Sequence, residues 1–185
     1  MCGLLIVIRK NDSPLKAEAP SFHRALSNLR FRGPDYEVET FPHERVYFGQ
    51  TVLSLTGDFN KPNGDYLISK SKRYQLAFNG EIYNYRAIKD KHQASLFDIP
   101  DANLTDSEVL VNLFDTLDSK EIADEIDGMY AYAVYDQKNR SGYCHYLRAV
   151  DPARHYNPSC PFRSVPGGLS RPLVLGQSRR RYSRR

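Results

Sequence analysis

The sequence has little cysteine and no long apolar run. Its 185 residues include three cysteines and no tryptophan, and its mean hydropathy is −0.58. The cysteines, Cys2, Cys144 and Cys160, lack zinc-ligand spacing, and their odd number argues against a disulfide framework. No apolar run approaches the roughly 18 residues that a membrane span needs, and the apolar segment from Leu4 to Ile8 is too short for a signal peptide. These absences predict a cytoplasmic protein with no membrane partner.

The composition is that of a globular domain followed by a basic end. Hydrophobic residues make up 41% of the chain and aromatic residues 12%, enough for one ordinary core. From Ser141 onward there are nine arginines, no lysine and one acid, Asp151, so this end carries +8 although the whole chain carries only +4. Five prolines also interrupt any periodicity after residue 142. We therefore predict a domain over residues 2–142 and an irregular Arg/Pro/Ser-rich tail over 143–185.

The basic tail raises the question of nucleic-acid binding. Nine arginines could neutralise phosphates. A run of charge without an aromatic platform or a folded motif is more often simply solvated. Nucleic acid is therefore an unexpected partner.

Four segments have the apolar, β-branched or aromatic character of strands. They cover residues 4–8, 46–55, 74–78 and 129–134. The second and third are separated by a turn-rich stretch of Asn, Pro, Gly and Asp over residues 60–65. The last of these is followed by a turn-like segment over residues 136–142.

Two helices are predicted from their start signals. Ser21 is expected to cap a helix that runs through Leu29, and turn chemistry at residues 32–35 should end it. Thr105 and Glu108 have the spacing of a capping box, in which each side chain accepts a hydrogen bond from the backbone N–H of the other residue. This box should open a second helix.

Cys2 lies directly behind Met1 and leads into the first predicted strand. Removal of Met1 would leave the α-amine of Cys2 beside its own thiol. An α-amine has a pKa near ~7.7–8.0 and a thiol near roughly 8.5, so the amine can accept the proton of the sulfur. N-terminal-nucleophile (Ntn) hydrolases begin in this way. A cysteine at this position can equally be an early residue with no catalytic role.

Four further segments accompany Cys2-Gly3 along the chain. They are Arg32-Gly33-Pro34-Asp35, Asn79-Gly80-Glu81-Ile82-Tyr83-Asn84-Tyr85, Asp106-Ser107-Glu108 and the stretch from Asp127 to Asp136. In this order and spacing they resemble the glutaminase domain of class II glutamine amidotransferases, and most of all that of asparagine synthetases. The resemblance covers residues 2 to about 140. It implies an α+β fold of the Ntn-hydrolase type, a four-layer αββα sandwich of two antiparallel sheets.

The resemblance also implies a reaction. Cys2 would attack the side-chain amide of L-glutamine, and its α-amine would shuttle the proton. Asn79 and Gly80 would form the oxyanion hole, with an amide side chain and a backbone N–H directed at the developing charge. Ammonia and glutamate would be the products, and the reaction would need no metal or cofactor.

Substrate binding is assigned by the same resemblance. Glu81 and Asp106 would hold the α-amino group of glutamine, because acidic groups suit an ammonium. Leu53 and Ser54 would also line the substrate site.

Simpler interpretations of the same residues stay open. Asn79-Gly80 is also a strong dipeptide for a hairpin turn. Asp106 could only balance the dipole of the helix it opens. Arg32 could only pair with a surface acid.

One departure from the family lies in the substrate site. Asparagine synthetases have an arginine that grips the α-carboxylate of glutamine where this chain has Val52. Arg45 cannot replace it from the same strand, because seven residues at ~3.3 Å each put it roughly 23 Å away. The resemblance therefore implies catalytic residues without the usual carboxylate clamp, and we expect weakened glutamine binding unless another cation replaces it.

The second departure concerns the synthetase half of the family's enzymes. Its Ser-Gly-Gly-x-Asp-Ser phosphate loop is missing here, and ATP and magnesium would belong to that half. Two explanations stay open: a truncated or frame-shifted synthetase gene, or a glutaminase subunit with a basic extension. We predict glutamine hydrolysis that supplies ammonia for asparagine synthesis from aspartate, with a synthetase domain or subunit in trans. The alternative is a non-catalytic remnant that binds a partner.

Overall fold

The computed structural model describes residues 2–9, 13–53, 67–92, 104–146 and 173–175, the last range and 143–146 as backbone. The strands are β1 Gly3–Ile8, β2 Tyr36–His43, β3 Val46–Val52, β4 Leu67–Ile68, β5 Tyr74–Ile82, β6 Gly128–Asp136, β7 Ser141–Tyr146 and β8 Leu173–Leu175. The α-helices are α1 Ala19–Ser27, α2 Tyr85–Lys91, α3 Asp106–Leu113 and α4 Ser119–Glu125, and short 3-10 helices cover Lys16–Glu18 and Arg30–Arg32. Among the described helices, none has the length and apolar character that crossing a membrane requires.

The strands form two antiparallel four-stranded sheets. Sheet A has the order β2-β3-β1-β8, and sheet B has the order β4-β5-β6-β7. β1 is central in sheet A, where Gly3 lies opposite Thr51 of β3. β5 is central in sheet B, and its whole length pairs with β6.

Three clusters of apolar side chains define the layers. The cluster between the two sheets contains Leu4, Ile6, Val46, Phe48, Ala77, Ala133 and Tyr135. A second cluster packs α1 on the outer face of sheet A, and a third packs α2, α3 and α4 on the outer face of sheet B. Full burial of a side chain such as Leu4 or Ile6 contributes about 1.5–3 kcal/mol. The layers run helix, sheet, sheet, helix, which confirms the predicted α+β sandwich of two antiparallel sheets.

The local signals of the sequence have mixed outcomes. The capping box is confirmed: Thr105 Oγ1 accepts from the Glu108 N–H at 3.2 Å, and the Thr105 N–H donates to the Glu108 carboxylate at 3.0 Å. The predicted cap at Ser21 is wrong, because α1 already begins at Ala19 and Ser21 lies in its first turn, where it accepts a hydrogen bond from Arg24. α1 has no side-chain cap and has a proline in its first turn instead. Proline is favourable there because the N–H group that it lacks would have no partner within the helix.

The hairpin-turn interpretation of Asn79-Gly80 is also wrong. β5 continues through both residues to Ile82, and they pair with Ala131 and Tyr130 of β6. The strand predicted over residues 46–55 is β3, which ends at Val52, and residues 54–55 lie outside the described part of the chain.

Two strands lie in or across the segment that was predicted to be irregular. β7 spans the predicted boundary at residue 142, and its residues 141–146 pair with β6. β8, at residues 173–175, pairs with Leu4, Leu5 and Ile6 of β1. The sheets therefore extend beyond residue 142, while the division into a domain over 2–142 and a tail over 143–185 stays a prediction.

Candidate active site

Cys2 is held at the end of β1 by its neighbours. The Gly3 N–H donates to Thr51 Oγ1 at 3.1 Å, and that hydroxyl donates to the Leu29 carbonyl at 3.1 Å. The Cys2 side chain is half-buried, and its Sγ lies 3.9 Å from the carbonyl oxygen of Leu53. The backbone that follows the cysteine is thus fixed to the end of β3. Leu53, a predicted substrate residue, lies beside the sulfur.

Alternation along β3 shows which side of sheet A carries the site. Val46 and Phe48 pack between the sheets, and Gln50 contacts sheet B, so Val52 lies on the same inner face. Leu4 and Ile6 of β1 also face inward. By the same period-two rule, Cys2 is on the inner side as well.

The side chain of Gln50 connects the sheets at this end. Its Nε2 donates to the Phe78 carbonyl at 2.8 Å, and its Oε1 accepts from the Phe78 N–H at 3.4 Å. These two bonds place Asn79, the residue after Phe78, beside the contact between β3 and β5. In the sequence alone Gln50 carried no signal, because a glutamine in an otherwise apolar strand has no distinctive motif.

Asn79 has a buried amide that lacks a partner. It lies two residues after the inward-facing Ala77, so its side chain is on the inner face of sheet B. Its Oδ1 is buried and has no hydrogen-bond partner among the described residues. Leaving such a group unpaired costs about 1–3 kcal/mol, and a ligand in the site can remove this cost.

Gly80 can only be glycine at its place in β5. Its φ is +147°, which side chains rarely tolerate. A Cβ on residue 80 would lie 2.2 Å from the carbonyl oxygen of Met129 and 2.4 Å from the Cα of Tyr130. Both obstacles are backbone atoms of the paired strand β6, so the clash cannot be relieved by a side-chain rotation.

Asp106 joins the start of α3 to the end of β5. Its Oδ2 accepts from the Ile82 N–H at 2.9 Å, and its Oδ1 accepts from the Ser107 N–H at 2.8 Å. Burial raises the pKa of the Asp106 carboxyl above its usual value, and the negative charge of Glu81 adds to the rise, although the two backbone N–H groups oppose it. Two acids near one another, one of them poorly solvated, favour a cation between them.

The segment from Arg32 to Asp35 packs on the end of β3. A Cβ on Gly33 would lie 2.4 Å from the carbonyl of Thr51 and 2.5 Å from the nitrogen of Val52, so only glycine allows this approach. The Asp35 N–H donates to the Val52 carbonyl at 3.1 Å. Arg32 pairs with no acid among the described residues: its Nε donates to the Cys2 carbonyl at 3.1 Å. Sequence reasoning had singled out this segment without giving Arg32 a place in the site.

The predicted site residues lie in two groups, and the hydrogen bond from Gln50 to Phe78 links the strands that carry them. Cys2 and Leu53 come from sheet A, Asn79, Gly80 and Glu81 come from β5 of sheet B, and Asp106 comes from the start of α3. No hydrogen bond joins Cys2 to Asn79 within the part of the chain that the structure describes. Ser54 lies outside the described residues.

Among the residues that the structure describes, one group of side chains, on α1 and β2, has metal-ligand chemistry. The ligand atoms of His23, Glu37 and Glu39 lie within 4.8 Å of one another. They are already satisfied by protein partners: His23 bonds to Glu39, Tyr47 donates to Glu39 at 2.9 Å, and Arg30 pairs with Glu37 at 2.9 Å. We interpret this group as a tie between α1 and β2.

Comparison with known proteins shows which family the chain resembles. Residues 1–145 match the glutamine amidotransferase domain family. The chain is 28% identical over 142 residues to glutamine-hydrolyzing asparagine synthetase 3 of Arabidopsis thaliana, covering 76% of this chain and 23% of the relative. It is 29% identical over 142 residues to the glutamine-hydrolyzing asparagine synthetase of Zea mays, covering 76% and 22%. For asparagine synthetase 1 of Bacillus subtilis the identity is 28% over 140 residues, covering 75% and 21%.

The chain belongs to the glutamine amidotransferase family. Within it, the domain is of the kind that asparagine synthetases carry. The chain spans less than a quarter of the length of the three relatives named above.

Proposed function

We propose that this chain hydrolyses the side-chain amide of L-glutamine and so supplies ammonia for the amidation of aspartate. The observation that supports the proposal is the hydrogen bond from Gln50 to Phe78. It links β3, whose end lies beside Cys2, to β5, the strand that carries Asn79 and Gly80. Family membership supplies the substrate class, since the relatives named above are glutamine-hydrolyzing enzymes.

The first half of the reaction forms a thioester. After removal of Met1, the α-amine of Cys2 accepts the thiol proton, and Sγ attacks the amide carbon of glutamine. The negative charge that develops on the amide oxygen is stabilised by the side-chain amide of Asn79 and the backbone N–H of Gly80. The α-ammonium returns its proton to the departing nitrogen, so that the C–N bond breaks and ammonia leaves.

The second half releases the product. Water attacks the thioester carbon, and the α-amine accepts a proton from it. The oxyanion is stabilised by the same two donors, the C–S bond breaks, and the thiol is restored as glutamate forms. Atoms balance as glutamine plus water giving glutamate plus ammonia.

Two acidic side chains orient the substrate. Asp106 and Glu81 bind the α-ammonium of glutamine, which places the amide toward Cys2. No cofactor takes part in these steps. ATP and magnesium belong to a synthetase domain or subunit that would use the ammonia, and that partner in trans is part of the proposal.

The test compares cysteine variants of the full chain. Wild-type protein, checked by mass spectrometry for loss of Met1, should release ammonia and glutamate in equal amounts from glutamine. Cys2→Ala should abolish release, because the nucleophile is gone, and so should an uncleavable N-terminal tag, because it removes the free amine. Cys160→Ala serves as the matched control and should retain activity.

A chemical probe separates binding from turnover. A diazoketone analogue of glutamine should alkylate Cys2 in the wild type and leave the Cys2→Ala variant unlabelled. Ammonia release by a tagged protein would contradict the role of the amine. If a folded wild type gives neither ammonia nor labelled Cys2, the chain is instead a non-catalytic, partner-binding module.

A further inference from the structure

The guanidinium of Arg32 contacts the backbone of Cys2, and among the described residues only its Nε has a hydrogen-bond partner. Its Nε donates to the Cys2 carbonyl at 3.1 Å. The described part of the chain offers no carboxylate to Arg32, and the side chain is half-buried. Its neighbour Arg30 differs: it is 65% exposed and pairs with Glu37 at 2.9 Å. Two arginines of one 3-10 helix thus have distinct surroundings.

The position of Arg32 is fixed by the backbone around it. The Arg32 N–H donates to the Leu29 carbonyl at 2.9 Å. Gly33 packs directly on the backbone of Thr51 and Val52, at a distance that excludes any side chain. A guanidinium anchored in this way needs little reordering when a ligand arrives, which favours binding.

The free part of the side chain fits one kind of group. With Nε engaged, Nη1 and Nη2 present a planar pair of donors, which matches the two oxygens of a carboxylate. Glutamine has a single anionic group, its α-carboxylate. Val52, on the inner face at the end of β3, is apolar and offers no cation. The acids of the proposed site, Glu81 in β5 and Asp106 at the start of α3, suit the α-ammonium.

We propose that Arg32 binds the α-carboxylate of the substrate through Nη1 and Nη2. This assignment rests on the proposed function, because it takes glutamine as the ligand. The substrate would then lie between Arg32 of the sheet A side and the acids of the sheet B side. Arg32 is a substrate-binding residue in this view, and its bond to the Cys2 carbonyl keeps the carboxylate site in register with the nucleophile.

The kinetic test uses two variants and two substrates. Arg32→Gln removes the charge, and Arg30→Gln is the matched control from the same turn. The second substrate is 4-aminobutanamide, which keeps the amide and the amine of glutamine but lacks the carboxylate. Arg32→Gln should lower kcat/KM for glutamine by roughly 10- to 100-fold, mainly through KM, and leave 4-aminobutanamide nearly unaffected. Arg30→Gln should change neither substrate.

Two kinetic results would overturn the assignment. An equal loss on both substrates would mean that Arg32 only positions Cys2 through its carbonyl. No loss on either substrate would mean that the guanidinium does not act in the site. Circular dichroism of each variant should match the wild type, so that the comparison is made between folded proteins.

A binding test keeps the inference separate from catalysis. Calorimetry with L-glutamate and with 4-aminobutanoate, which differ only in the α-carboxylate, needs no turnover. Wild type should prefer glutamate, and Arg32→Gln should lose that preference while Arg30→Gln keeps it. A wild type that shows this preference without releasing ammonia would contradict the proposed hydrolysis and still support the carboxylate site. A wild type with no preference for glutamate would overturn the carboxylate site.

Discussion

At residue 80 the backbone geometry requires glycine, and the backbone N–H of this residue is one of the two proposed oxyanion donors. Gly80 has a positive φ and lies against the main chain of β6, so no side chain fits there. The adjoining Asn79 keeps a buried oxygen unpaired among the described residues. Such local costs persist in folded proteins mainly where a ligand later removes them. Sequence could name both residues through a family motif, but the unpaired oxygen is visible only in three dimensions.

The pH dependence of kcat/KM tests the proposed role of the Asp106 side chain. Because burial raises the pKa of its carboxyl, Asp106 should lose its charge at a higher pH than an ordinary aspartate, whose pKa is near ~3.9. The ionised form binds the ammonium, so kcat/KM for glutamine should fall as pH is lowered through that raised pKa. A raised pKa favours the protonated form in the folded state, so this acid limb reports lost binding and not unfolding caused by Asp106.

The variant Asp106→Asn should remove this limb. It should also lower kcat/KM at neutral pH by about 10- to 100-fold, since a charge-assisted contact becomes a neutral one. Asparagine can still accept the Ile82 N–H, so the link to α3 should survive. The control is Asp90→Asn, on the exposed surface of α2. An acid limb that persists unchanged in Asp106→Asn would show that another group titrates.

Among the elements, those with strong local signals could be predicted and those set by pairing could not. The capping box of α3 is complete within four residues, and it formed as expected. α4 has a similar box from Asp118 and Glu121, but the helix is only seven residues long and buries Ile122 alone, so its apolar pattern is short. β2 was missed because its side chains are mostly partly exposed and include Pro42, and its pairing with β3 decides its conformation.

In β5, the local turn preference and the pairing with β6 favour different conformations. Asn79-Gly80 favours a turn when considered locally. Nine consecutive pairings with β6 hold the segment extended instead. Tertiary pairing thus overrode the local preference, and it keeps Asn79 in a strand whose inner face carries Ala77.

The pairing of β8 with β1 gives a prediction at the scale of elements. Ending the chain after residue 150 removes β8 and leaves β1, the strand that carries Cys2, at the edge of sheet A. Several backbone hydrogen bonds are lost at roughly 0.5–1.5 kcal/mol each, so the melting temperature should fall by about 5–10 °C. Far-UV circular dichroism should stay close to that of the full chain, because the three apolar clusters remain.

A matched truncation separates β8 from the basic end. A chain ending after residue 176 keeps residues 173–175 but loses five arginines. It should melt like the full chain. If the chain ending after residue 150 also melted like the full chain, then β8 would contribute nothing to the stability of β1.

At the scale of the whole molecule, the proposed glutamine hydrolysis can be considered separately from aspartate amidation. The first 140 residues carry a net −4, and the basic end carries +8. The chain covers only 21–23% of the three asparagine synthetases compared above. The ammonia-producing reaction needs only glutamine, water and the residues of the proposed site, whereas aspartate amidation needs ATP. The two reactions should therefore be separable in this protein.

Ammonia release from glutamine should be indifferent to ATP, Mg²⁺ and EDTA. Every proposed step uses Cys2, its α-amine and the donors of Asn79 and Gly80, so no step depends on a divalent ion or a nucleotide. With aspartate, ATP and Mg²⁺ present, this chain alone should make glutamate and no asparagine, as chromatography of the amino acids would show. Alkylation of the thiol by iodoacetamide is the positive control for loss of activity.

A dependence of ammonia release on a metal ion would contradict this prediction. If EDTA lowered ammonia release and added Zn²⁺ or Mg²⁺ restored it, a metal would act in the reaction. His23→Ala would then locate it, because His23, Glu37 and Glu39 are the cluster of metal-ligand type among the described residues. Dependence lost in His23→Ala would move the reactive centre away from Cys2, while dependence that persisted would require a second ion at the end of β1. Indifference to all three additions supports hydrolysis by the cysteine alone.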